Sequence, residues 1–127
     1  MTGLRLIVVE DESLVALMME DMLADLGCQV VGSFGGLAAA FAWLEGGAEP
    51  PDGAILDVNL GGEMVFPLAQ ALSERQVPFA FATGYGAISD ERFAAAPLMR
   101  KPVSEADLLQ ALQRFRAAAL SLPPGGR

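Results

Sequence analysis

The chain has 127 residues, 53% of them apolar, a net charge of −8 and a positive mean hydropathy, which suits one packed domain and not a disordered chain. There is no histidine, which excludes His-based zinc sites and Ser-His or Cys-His nucleophile pairs, and the eight Lys and Arg residues are too few and scattered to predict a nucleic-acid-binding face. No apolar run approaches the roughly 20 residues of a membrane span, no basic-then-apolar leader opens the chain, and lone Cys28 reads as a small buried hydrophobe in a reducing compartment, so a soluble cytoplasmic protein is expected.

Leu4 to Val9 is a continuous apolar run bounded by polar residues, as in a strand buried on both faces. Apolar residues then recur three and four apart (Val15, Met18, Met19, Met22, Leu23, Leu26), marking one face of a helix that Gly27 stops. Gln29 to Ser33 reads as a second strand. Leu37, Phe41 and Leu44 mark a second helix that ends at Gly46-Gly47. Asp52 to Asp57 contains a third buried strand ending in an acid. Val65, Leu68, Ala69 and Leu72 mark a third helix, which tolerates Pro67 only in its first turn. Pro78 to Thr83 is a fourth strand and Pro97 to Arg100 a weak fifth. Between these two, Ala87 to Ala96 holds few large apolar residues and is expected as a short or mobile helix. Ser104 with Asp107 resembles a capping box and opens a last helix marked by Leu108, Leu109, Leu112 and Phe115. Residues 1–120 are expected as one domain, and 121–127, with Pro123-Pro124-Gly125-Gly126, as a disordered tail.

Strand and helix alternate throughout, which implies an α/β fold with a parallel sheet covered on both faces and right-handed crossovers. In such sheets, sites form beyond the carboxyl ends of the strands. The residues at those ends are Glu10, Asp11 and Glu12 after the first strand, Asp57 and Asn59 after the third, Thr83 and Gly84 after the fourth, and Lys101-Pro102 after the fifth. Any one of them alone is an ordinary cap or surface residue. Together they place several carboxylates, a hydroxyl and an ammonium on one rim. Carboxylates that close repel one another unless a cation intervenes. A hard divalent ion, Mg²⁺ or Mn²⁺, suits such oxygen donors. Phosphoryl transfer needs the same parts, with a carboxylate as nucleophile. Lys101 and Thr83 would bind the remaining phosphoryl oxygens, and Gly84 would leave its N–H open to the incoming group.

These residues resemble the receiver domain of two-component response regulators. The matching motifs are Val8-Val9-Glu10-Asp11-Glu12, Leu56-Asp57-Val58-Asn59, Ala82-Thr83-Gly84 and Lys101-Pro102, and the likeness runs from Leu4 to Ala119. It implies a three-layer (βα)5 flavodoxin-like fold with strand order 2-1-3-4-5. It implies phosphorylation at Asp57, metal ligation by Glu10 (through water), Asp11, Asp57 and the carbonyl of Asn59, and roles for Thr83 as switch hydroxyl and Lys101 as phosphate-binding ammonium. It also implies a cis Lys101–Pro102 bond. Phe81-Ala82-Thr83-Gly84-Tyr85 further resembles the signature of the FAT GUY group of receivers, although Gly86 departs from it. A second departure is Leu98, which stands where many receivers carry a rotating aromatic; Tyr85 is a candidate substitute.

The function implied is that of a single-domain response regulator. It would take a phosphoryl group on Asp57 from a histidine kinase or phosphotransfer protein and signal by phosphorylation-dependent binding to a downstream protein. It would catalyse only its own phosphorylation and dephosphorylation, without contact with nucleic acid or membrane, as a monomer or weak homodimer. Two other readings compete. One is a small metal-dependent aspartyl phosphohydrolase, which the lone Asp57 after the third strand and the lack of a cap region disfavour. The other is a pseudo-receiver that never takes a phosphoryl group, which Asp57, Thr83 and Lys101 argue against.

Overall fold

The structure is a computed structural model that describes residues 3–84 and 88–121. The elements are β1 (Arg5–Val9), α1 (Ser13–Asp25), β2 (Gln29–Phe34), α2 (Leu37–Glu45), β3 (Gly53–Asp57), a short hairpin of β4 (Asn59–Leu60) and β5 (Glu63–Met64), α3 (Phe66–Glu74), β6 (Phe79–Thr83), β7 (Leu98–Arg100) and α4 (Glu105–Ser121). The five long strands form one parallel sheet in the order β2-β1-β3-β6-β7. With the hairpin strands left uncounted, this is the 2-1-3-4-5 order of a flavodoxin-like α/β fold.

Side chains alternate across a strand, and here the alternation divides the core in two. Ile7 and Val9 of β1, Ala54 and Leu56 of β3 and Phe81 of β6 face α2 and α3, where Leu37, Ala40, Phe66, Leu68 and Leu72 meet them. Leu6, Val8, Ile55, Ala80, Ala82 and Met99 face α1 and α4, against Met19, Leu23, Leu108, Leu112 and Phe115. Strands apolar on both faces therefore become the middle of three layers.

The local signals act as their chemistry dictates. Gly27 (φ +85°) turns the chain out of α1, with Gly27 N–H donating to Ala24 O at 3.0 Å and Cys28 N–H to Leu23 O at 3.0 Å, the two bonds of a Schellman ending. Pro67 is the second residue of α3, where no intrahelical N–H is lost. The Ser104 Oγ accepts from Asp107 N–H at 3.1 Å while Asp107 Oδ2 accepts from Ser104 N–H at 3.2 Å, closing the expected capping box.

Three features differ from the sequence expectations. Among the described residues no α-helix links β6 to β7; a single 3₁₀ turn, Glu91–Phe93, stands there. Only Phe93 of that turn is buried, while Ala94 and Ala95 are exposed, so the segment lacks the apolar stripe that would hold a longer helix to the sheet. Met18 and Leu109 fit the helical period but lie on the solvent side of α1 and α4. The β4–β5 hairpin was not foreseen, although Asn59-Leu60-Gly61-Gly62-Glu63-Met64 carries a Gly-Gly turn between two short arms. Helix α4 reaches Ser121, and the rest of the expected tail lies outside the described residues.

Candidate functional site

Sheet register assembles the site. Val9 pairs with Leu56, Asp57 with Ala82, and Thr83 with Arg100. The next residue along β1 is Glu10 and the next along β7 is Lys101, so the four strand tips bring Glu10, Asp57, Thr83 and Lys101 to one edge. Lys101 N–H donates to Thr83 O at 2.9 Å, which ties the two tips together, and the Lys101–Pro102 bond is cis.

The side chains then meet. Lys101 Nζ lies 2.6 Å from Glu10 Oε1 and 3.3 Å from Asp57 Oδ2. Glu10 Oε2 accepts from Glu12 N–H at 3.1 Å, so this buried carboxylate is held from both sides. Carboxylate oxygens of Glu10, Asp11 and Asp57 all fall within 4.8 Å of one another. Asp57 is only 5% exposed. It sits beneath an open pocket of about 420 Å³ lined by Asp11, Glu12, Asn59, Gly61, Gly62, Thr83, Gly84 and Lys101.

The electrostatics follow from that packing. Burial is the main force lifting the Asp57 carboxyl to about 7; the hydrogen bond and charge of Glu10 add to it, and Lys101 opposes it. Burial pulls the Lys101 ammonium down, but its hydrogen bond to Glu10 and its attraction to Asp57 and Glu10 win, so its pKa ends above the ordinary value. A carboxyl this easily protonated beside two other acids lacks positive charge. One ammonium does not neutralise three acids. Hard oxygen donors in a tight group fit a divalent cation such as Mg²⁺.

Of the residues singled out in the sequence, Glu10, Asp11, Asp57, Asn59, Thr83, Gly84 and Lys101 share this pocket or its floor. Pro102 lines an adjoining groove. Tyr85 lies outside the described residues. At Gly84 a Cβ would meet nothing within 4 Å, so space alone does not demand a glycine there. Asn59 N–H donates to Asp57 Oδ1 at 3.4 Å, while its side-chain oxygen accepts from Gly62 N–H at 2.6 Å. Gly61 and Gly62 went unnoticed in the sequence, where only the Gly-Gly turn signal marks them.

No protein-family model matches the chain, and no curated protein matches it. Solved structures do. The solution structure of SdrG from Sphingomonas melonis Fr1 is 41% identical over 88% of this chain and 95% of that one, with a TM-score of 0.74. The BeF3-activated conformation of SdrG from Pseudomonas melonis Fr1 is 44% identical over 94% of this chain and 99% of that one, with a TM-score of 0.73. A response regulator receiver protein from Sinorhizobium medicae WSM419 shares the fold at 21% identity, over 89% of this chain and 94% of that one, with a TM-score of 0.72. The chain belongs to the response regulator receiver domains. Its strand-tip residues therefore sit at the carboxyl edge of a receiver sheet, and the acidic pocket at that edge is the receiver's candidate site.

Proposed function

We propose that this receiver accepts a phosphoryl group on Asp57 from a histidine kinase or phosphotransfer protein and passes the signal on by phosphorylation-dependent binding to a downstream protein. The observation that carries the reading is the nearly buried Asp57 carboxylate, 3.3 Å from the Lys101 ammonium and grouped with Glu10 and Asp11 at the foot of an open pocket. An Asp57 oxygen attacks the phosphorus, the donor's nitrogen–phosphorus bond breaks, and an acyl phosphate forms. Lys101 shares the charge of the phosphoryl oxygens and Thr83 donates its hydroxyl to one of them. Glu10, Asp11, Asp57 and the Asn59 carbonyl would hold Mg²⁺ or Mn²⁺, which supplies charge neutralisation for the phosphoryl oxygens. The reaction is confined to the protein's own carboxylate, so the domain turns over nothing but its own phosphorylation and dephosphorylation.

A related protein, SdrG, is known in a BeF3-activated conformation; we carry that chemistry over to Asp57. Phe81-Ala82-Thr83-Gly84 at the end of β6 supports a place in the FAT GUY group, with Tyr85 standing in for the aromatic that Leu98 replaces. Beside the pocket, α1 exposes Leu14, Leu17 and Met18, and a groove lined by Val15, Met18, Met22 and Val103 opens onto Glu12 and Lys101. We assign this apolar strip to the phosphodonor protein, since it borders the entrance that a donor must reach.

The deciding experiment is phosphotransfer from candidate kinases to wild type and Asp57→Asn, with and without Mg²⁺. Label on wild type alone, and only with the cation, is expected. Label on Asp57→Asn, or turnover of a generic phosphate ester, would overturn the reading.

A further inference from the structure

The groove beside the site, about 330 Å³ in volume, is walled largely by methionine. Val15, Met18, Met19 and Met22 stand three and four apart along α1 and line it together with Pro102 and Val103. Three of the chain's six methionines therefore lie side by side. Leucine would fit the helical period equally well and lose less side-chain freedom on folding. The three sit at different depths: Met18 is 52% exposed, Met22 is half-buried and Met19 is 1% exposed.

A thioether is apolar and pliable, which suits a docking strip, but peroxide converts it to a polar sulfoxide. Other sulfur in the chain is less open to that chemistry. Cys28 is buried, and burial raises its pKa, so the reactive thiolate is scarce. Met99 is buried, and Met64, 38% exposed, stands on the β4–β5 hairpin and does not line the groove. Met18 is the most exposed methionine among the described residues, and it borders the groove that opens onto Glu12 and Lys101. Among the described residues no methionine lines the pocket above Asp57.

We propose that Met18 is an oxidation site, and that its conversion to the sulfoxide by hydrogen peroxide closes the groove to the phosphodonor protein while leaving Asp57 able to accept a phosphoryl group. The proposal rests on the reading of the groove as the donor's docking surface. In the oxidation, the Met18 sulfur attacks one peroxide oxygen, a sulfur–oxygen bond forms and the oxygen–oxygen bond breaks. The sulfur gives up two electrons. The leaving hydroxide takes the proton from the transferred oxygen and departs as water. The sulfoxide then sets a strong hydrogen-bond acceptor among Leu14, Leu17 and Val15, where an apolar partner surface cannot satisfy it. A small phosphodonor that enters the pocket directly meets none of this.

The test is to treat the protein with graded hydrogen peroxide, remove the peroxide with catalase, and map sulfoxides by peptide mass spectrometry. Phosphoryl uptake is then timed from two donors with Mg²⁺: acetyl phosphate, and whichever candidate kinase labels the untreated protein. Sulfoxide is expected at Met18 and Met64 while Met19 stays reduced. Transfer from the kinase should slow at least about fivefold, the effect of losing one good interface contact, and uptake from acetyl phosphate should hold. Methionine sulfoxide reductases should restore the kinase rate. Met18→Leu should keep its own starting kinase rate through the peroxide treatment, whereas Met64→Leu should still slow. Met18→Gln, polar without oxidation, should transfer slowly before any peroxide is added. A Met18 that stays reduced while Met64 oxidises overturns the proposal, and so does an oxidised Met18 with the kinase rate unchanged. An equal fall with acetyl phosphate also overturns it, since the lesion then acts at Asp57. An untreated protein labelled by acetyl phosphate but by no kinase overturns the docking reading and the switch with it. One labelled by neither overturns the phosphoacceptor reading itself.

Discussion

Asp57 is pushed up to about 7 first by burial and then by Glu10, against the pull of Lys101. Folding therefore favours its protonated form, and the sign of the pH dependence follows. Between the ordinary carboxyl range and about 7, the folded protein holds a proton that the unfolded chain has released, so this contribution is complete in acid and is lost as pH rises through about 7. Urea unfolding in the presence of a chelator should show stability falling over that window, and Asp57→Asn should flatten the fall. A bound divalent cation requires the ionised carboxylate, so Mg²⁺ should bind more tightly as pH rises through the same window, with release of a proton. Gln76 offers a second test at this scale. It ends α3 with φ +60° while Val77 N–H donates to Leu72 O at 2.9 Å. That is the position a glycine occupies after α1, and a side chain there is strained. Gln76→Gly should therefore stabilise the protein by about 0.5–1 kcal/mol in thermal or urea melts.

The elements differ in how firmly they are held. The 3₁₀ turn is anchored by Phe93, whose ring stacks on Phe66 with centroids 5.9 Å apart and meets Phe79 and Phe81 edge-on at 5.7 and 5.9 Å. Asp90 caps the same turn by accepting from Arg92 N–H at 3.0 Å, and Arg92 lies over the Phe93 ring. These surface bonds are weak beside the aromatic contact. Phe93→Ala should cost about 3 kcal/mol and raise amide exchange in the segment between β6 and β7 more than elsewhere. The sequence foretold a weak element here because few large apolar residues were present. It foretold the capping box and Gly27 stop because those are local chemistry, complete within a few residues. It did not foretell the hairpin. Two-residue arms carry no readable period, and the Asn59–Gly62 bond forms only once the turn has closed.

For the whole molecule, the sheet is the frame that makes a site out of distant residues. Its two faces must both be filled, and the helices must come close. Gly53 shows how close: a Cβ there would lie 2.3 Å from the Phe115 ring of α4. Gly53→Ala should force α4 outward and cost about 1–3 kcal/mol, read as a lower melting temperature with the fold retained. Because Gly53 begins the strand that Asp57 ends, displacement of α4 should leave the Glu10–Asp57–Lys101 geometry largely in place. Beryllofluoride binding, followed by amide shifts, should accordingly survive in this variant.

Much was legible before any coordinate. Unbroken apolar runs marked strands buried on both faces, apolar spacings of three and four marked helices, and the polar residue after each strand marked a rim. Those signals are local, and a chain carries them in its covalent order. What the order alone could not decide was proximity. Glu10, Asp57 and Lys101 are far apart along the chain, and only the parallel register places the Lys101 ammonium 2.6 Å from Glu10 and 3.3 Å from Asp57. Burial and the neighbouring Glu10 lift the Asp57 carboxyl while Lys101 pulls it down, and folding determines all three. Nor could periodicity say which side of α1 and α4 would meet the sheet at Met18 and Leu109, because a helical repeat names a face but the packing chooses its edges.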